Sequence, residues 1–151
     1  MEHENRQSGG TNIPRAKCVA IVDDDTRCAA LLDAAFERQG LRTVVFENGD
    51  EAWRSIQASP DVCLVVANWM LPGLDGHRTC RLLAAQRPEI PSVLMLGRTL
   101  IAEAWRTMRL MADYVLAKPL PAAGIDGQVR LLARMACGRG AHLTIVRPQH
   151  C

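Results

Sequence analysis

Three consecutive acids, Asp23-Asp24-Asp25, follow directly on one short apolar run, and Lys118-Pro119 follows directly on another. Carboxylates gathered at a chain reversal can hold a hard cation such as Mg²⁺ or attack an electrophilic phosphorus. A lysine facing them can balance the charge of a bound anion. Two further apolar runs end in residues with weaker chemistry. Asn68 offers a neutral carboxamide, and Gly97 offers no side chain at all, with Arg98 next to it.

These residues need a scaffold that brings distant segments to one place. The runs KCVAIV (17–22), LRTVVF (41–46), VCLVVA (62–67), SVLML (92–96) and DYVLA (113–117) read as strands. The continuously apolar ones fit strands covered on both faces. Helical periodicity fills the gaps. Thr26 caps a helix to about Gln39, with Cys28, Leu32, Ala35 and Phe36 on one face and Gly40 ending it. Asn48-Gly49-Asp50 opens a second helix to Ala58, and a third follows the Pro/Gly loop MLPGLDG (70–76) and stops at Arg87-Pro88. A fourth covers Thr99–Leu110, and a last one runs from Pro121 to Met135. Five strands alternating with five helices predict an α/β fold, an open parallel sheet with helices on both faces. In such a sheet the chemistry sits at the carboxyl ends of the strands. Those ends are where Asp23-Asp24, Asn68, Gly97-Arg98 and Lys118 fall.

The bulk composition excludes several classes. A chain of 151 residues suits one domain, and 48% hydrophobic with 23% charged residues is ordinary for a globular protein. No apolar run approaches the roughly 20 residues of a membrane span, and the polar N-terminus is no secretory signal. The expectation is therefore cytoplasmic, with no membrane contact. The net charge is +2 with scattered lysines and arginines, and aromatics make up only 4%, so no nucleic-acid surface is expected. Six cysteines, at 18, 28, 63, 80, 137 and 151, show no CxxC spacing and read as reduced thiols, four of them inside apolar segments.

The string VDDD after the first strand, LPGLDG four residues past the third, and KP after the fifth stand in an order and spacing that resemble receiver domains of two-component response regulators, chemotaxis regulators among them. The resemblance covers about residues 17–136. It implies a flavodoxin-like (βα)5 fold of strand order 2-1-3-4-5, a leader at 1–15 that is disordered, a receiver domain at 16–136 and a tail at 137–151. In that family the first-strand acids hold Mg²⁺, an aspartate ending the third strand takes a phosphoryl group from a histidine kinase, a Thr or Ser ending the fourth contacts that group, and the lysine after the fifth pairs with its charge. Carried over by position, Asp23 and Asp24 match the acidic pair, and Lys118 and Pro119 the lysine and its proline. Counting back from Leu71-Pro72, Asn68 stands at the acceptor position. Gly97 stands at the hydroxyl position, and Arg98 replaces a small residue. The span from Gly97 to Lys118 is one residue short, so the aromatic switch position falls on Tyr114 or Val115.

The departures change the chemistry. A carboxamide is a much weaker nucleophile than a carboxylate, so Asn68 is not expected to form an acyl phosphate. Losing one of three carboxylates implies no cofactor or only weakly bound Mg²⁺. Gly97 lacks the hydroxyl, and Arg98 could crowd the pocket or pair with Asp24. The reading that follows is a stand-alone pseudo-receiver of two-component phosphorelay signalling. It is no enzyme but a phosphorylation-independent interaction module for a protein partner: a histidine kinase, a phosphotransfer protein or another regulator. A conditional receiver, switched by a ligand or by deamidation of Asn68, is the alternative. A second is a phosphatase resembling the haloacid dehalogenases, with Asp23 as nucleophile and Asp25 as acid/base.

The resemblance makes the fourth helix and fifth strand the partner face, which here carries Trp105, Arg106, Arg109 and Tyr114; Trp and Arg suit a hot spot. A homodimer through the fourth and fifth helices is compatible with it. The tail spacing C-x4-H-x7-H-C fits no zinc pattern and reads as a disordered or loosely docked segment. Its LTIV could add an edge strand.

Overall fold

The apolar runs become strands that are buried from both sides. In the computed structural model, which describes residues 17–108 and 112–136, β1 (Cys18–Val22), β2 (Arg42–Phe46), β3 (Val62–Asn68), β4 (Ser92–Gly97) and β5 (Tyr114–Lys118) pair in parallel in the order β2-β1-β3-β4-β5. The helices α1 (Thr26–Arg38), α2 (Gly49–Ala58), α3 (Gly76–Gln86), α4 (Ile101–Met108) and α5 (Ile125–Ala136) lie between them in sequence. This is the flavodoxin-like architecture expected.

Alternation along each strand divides the core. Val19 and Ile21, Leu64 and Val66, Val93 and Met95, and Leu116 pack against α1 and α5. Ala20, Val22, Val65 and Ala67 pack against α2 and α3. Leu94 and Leu96 meet Cys80 of α3 and Ala104 of α4. β2 lies at the sheet edge and is largely exposed or half-buried, whereas every residue of β1 is buried.

Five boundaries that differ from the sequence reading do so for local reasons. Asp25, not Thr26, caps α1: its extended backbone lets its carboxylate accept from the Arg27 and Cys28 amides. β3 and β4 each run one residue further, through Asn68 and Gly97, because their neighbours Met95 and Lys118 continue the ladder. Arg98–Leu100 form a 3-10 turn, so α4 begins at Ile101. Residues 122–124 form a turn ending in Gly124 at φ +94°, and α5 begins only at Ile125. The leader at 1–15, the tail at 137–151 and the last residues expected in the fourth helix lie outside the described residues.

Candidate functional site

Strand alternation aligns the sequence candidates. Asp23, Asn68, Gly97 and Lys118 continue the rows of Ile21, Val66, Met95 and Leu116, the residues that face α1 and α5. The four therefore form a line across β1, β3, β4 and β5 at the carboxyl edge of the sheet. The site has two halves.

In the first half, Asp23 is fully buried and its carboxylate is occupied. Oδ1 accepts from the Asp25 amide at 3.0 Å, and Oδ2 accepts from Lys118 Nζ at 2.7 Å. The Cys28 thiol, one turn into α1, lies beside the same carboxylate, close enough for a hydrogen bond to it to bear on the thiol's acidity. Burial and that hydrogen bond, reinforced by the charge of Asp23, push the Cys28 thiol up to about 12. Burial would lower the Lys118 ammonium, but the hydrogen bond and charge of Asp23, with smaller help from Cys28 and Asp25, hold it above its ordinary value. The sequence reading took Cys28 for a small core hydrophobe. Its position three residues after the helix cap, on the turn beneath Asp23, was the signal that it also serves the site. The Lys118-Pro119 peptide bond is cis.

In the second half the groups are neutral or turned outward. Asn68 Nδ2 donates to the Met70 carbonyl at 2.9 Å. Gly97 leaves open space: a Cβ built there meets nothing within 4 Å. Arg98 is exposed and, among the described residues, makes no ion pair, so it neither pairs with Asp24 nor fills the pocket. Asp24 is exposed as well.

Of the two aromatic-switch candidates, Tyr114 packs with the α1–α5 cluster and Val115 with the α4 cluster. The face toward α4 thus carries Val115, an aliphatic residue, and Tyr114 points to the opposite side of the sheet. Arg106 is exposed on α4. The Trp105 side chain and Arg109 lie outside the described residues.

The donor set does not suit a divalent cation. Mg²⁺ calls for several free oxygen ligands, anionic ones above all. Both Asp23 oxygens are engaged, the Asn68 amide is neutral with its Nδ2 bonded to the Met70 carbonyl, and Asp24 is exposed. Among the described residues no three His, Cys, Asp or Glu side chains are grouped to hold a metal ion. In the phosphatase alternative the nucleophile would be Asp23, which is buried and bonded to Lys118, and the acid/base Asp25, whose carboxylate caps α1. Deamidation also meets an obstacle. Ring closure needs the Trp69 amide nitrogen, and that N–H is held by the Met95 carbonyl at 2.8 Å.

Comparison with known proteins agrees with the architecture. The response regulator receiver domain family matches residues 19–130. The chain is 32% identical over 122 residues to the phosphate regulon transcriptional regulatory protein PhoB of Rhizobium meliloti, covering 78% of this chain and 52% of that one. It is 28% identical to the alkaline phosphatase synthesis transcriptional regulatory protein PhoP of Bacillus subtilis, covering 78% and 49%. The chain thus spans about half the length of these relatives. Among solved structures it resembles the receiver domain of NtrX from Brucella abortus (26% identity, TM-score 0.68, 81% of this chain and 99% of that one). It also resembles the receiver domain of a signal transduction histidine kinase from Syntrophus aciditrophicus (25% identity, TM-score 0.68, 88% and 99%). Among the described residues no helix is long and apolar enough to cross a membrane.

Proposed function

Starting from a chain that belongs to the response regulator receiver family, we propose that it is a pseudo-receiver, a cytoplasmic protein-interaction module whose output does not depend on phosphorylation at residue 68. One observation carries the reading. The residue at the acceptor position is an amide whose N–H₂ is spent on the Met70 carbonyl, so no anionic oxygen points out of the site from β3. The remaining charges support it, because the Lys118 ammonium donates to the buried Asp23 carboxylate, which also accepts from the Asp25 amide. The position of the switch hydroxyl is a glycine, so no side chain there could pull the β4–α4 connection inward. Partners are other signalling proteins: a histidine kinase, a phosphotransfer protein or another regulator. The module performs no catalysis of its own and needs no Mg²⁺. Arg106, with Trp105 and Arg109 by sequence, marks the surface a partner would read.

The test is incubation with acetyl phosphate and Mg²⁺ followed by intact-mass measurement. No phosphoryl adduct is expected on the wild-type chain. An adduct mapping to the peptide that holds residue 68 overturns the proposal.

A further inference from the structure

The β3–α3 loop is fastened at several points. Gly49 N–H donates to the Pro72 carbonyl at 3.2 Å, and Gly76 N–H to the Trp69 carbonyl at 3.0 Å. Gly73 sits at φ +72°, so close to α2 that a Cβ there would meet Asp50 Oδ2 at 2.1 Å. The Gly76–Trp69 bond joins the two ends of the loop, and the Trp69 N–H also donates to the Met95 carbonyl at 2.8 Å. The next residue, Met70, is held by the Asn68 side chain, through the 2.9 Å bond from Nδ2 to its carbonyl. That bond runs in one direction only. Turning the amide over would set Oδ1 against the carbonyl, two acceptors with no proton between them. A carboxylate at residue 68 meets the same difficulty in either orientation. Two oxygens at this separation need a proton or a cation between them, or they move apart.

We infer that the Asn68 amide is a built-in substitute for a bound cation: it locks the start of the β3–α3 loop in one arrangement and makes that arrangement independent of divalent metal. Asn68 is thus a positioning residue, acting through Met70, a residue that is 73% exposed. The inference deepens the proposed function and rests on it, since a module without a phosphoryl switch needs a loop arrangement that is already set.

The experiment compares wild type, Asn68→Ala and Asn68→Asp in hydrogen–deuterium exchange of the peptide spanning residues 69–75, with and without millimolar Mg²⁺. Wild-type exchange is expected to be slow and unmoved by Mg²⁺. Asn68→Ala removes the donor, so exchange should rise by about fivefold, the factor that the loss of one ordinary hydrogen bond corresponds to, and Mg²⁺ should not restore it. Asn68→Asp should exchange at least as fast without metal and return toward the wild-type rate with it. Melting temperatures should follow the same pattern. Wild type responding to Mg²⁺ as strongly as Asn68→Asp overturns the inference, and so does an Asn68→Ala loop as protected as wild type. If Asn68→Asp fails to fold, the alanine variant still decides. A phosphoryl adduct on wild type would overturn the proposed function instead, and is read in a separate assay without exchange.

Discussion

The two halves of the strand-edge site have the same backbone and opposite chemistry. On β1 and β5, Asp23, Lys118 and Cys28 form a buried, mutually satisfied group. On β3 and β4, Asn68, Gly97 and Arg98 are neutral, absent or exposed. In the charged half the chemistry is spent inward, on holding strand ends together. The other half holds a neutral amide, open space and an exposed guanidinium. One sheet edge thus carries a sealed ion pair beside an open neighbourhood.

The strongest way to break this comparison is to remove the charge from β5. Lys118→Met keeps the aliphatic stem but leaves Asp23 buried without its partner. Breaking a buried pair from one side costs about 3–5 kcal/mol, and urea denaturation should show a loss of that order. The side chain of Lys118 is only 21% exposed, so solvent can replace little of what is removed. A loss under about 1 kcal/mol, the range of surface pairs, would mean that the pair does not carry the strand ends.

The same half predicts the alkaline limb of stability. Lys118 and Cys28 both hold their protons more tightly folded than unfolded, as does Cys80, which burial pushes up to about 12. For a group raised in this way the stabilisation is complete below the unfolded value and is lost as pH rises through the folded one. Stability should therefore fall from the ordinary thiol value of 9.0 toward about 12. Cys28→Ala should shallow that fall in melting temperature against pH. Both thiols should also react slowly with disulfide reagents at neutral pH, because little thiolate is present. Fast labelling of Cys28 would contradict the hydrogen bond to Asp23.

Much of this was legible in the residues. Hydropathy and spacing place all five strands, and the strand-end rule then gathers Asp23, Asn68, Gly97 and Lys118. What stayed hidden depends on registers and directions that spacing does not carry. Tyr114 and Val115 are equivalent in composition terms, and only the pairing of Gly97 with Lys118 decides which faces α4. Asp25 and Thr26 are both good caps, and the backbone turn after Asp23 selects the first. Pro121-Ala122-Ala123 is acceptable as a helix start, and the positive φ of Gly124 is what delays α5. The direction of the Asn68 amide follows from the loop path, which no residue type reveals.

Two glycines sharpen the contrast between a sealed and an open neighbourhood. Gly76 opens α3 against β3, and a Cβ there would come within 2.1 Å of the Asn68 carbonyl oxygen, a main-chain atom that cannot swing aside. Gly76→Ala should cost about 1–3 kcal/mol in denaturation, as overpacking does.

Gly97 should behave in the opposite way. It carries no positive φ, and nothing lies within 4 Å of a Cβ there, so a small side chain enters free space. Gly97→Ser should leave stability within about 0.5 kcal/mol of wild type. It should also leave the chain unphosphorylated by acetyl phosphate, because a hydroxyl there supplies no carboxylate nucleophile. Asn68→Asp alone would supply the nucleophile and lack that contact. The pair Asn68→Asp, Gly97→Ser supplies both, and intact mass with loop exchange should then report a phosphorylation-dependent change that neither single variant shows. An equal change in Asn68→Asp alone would make residue 68 sufficient for switching and Gly97 incidental to it.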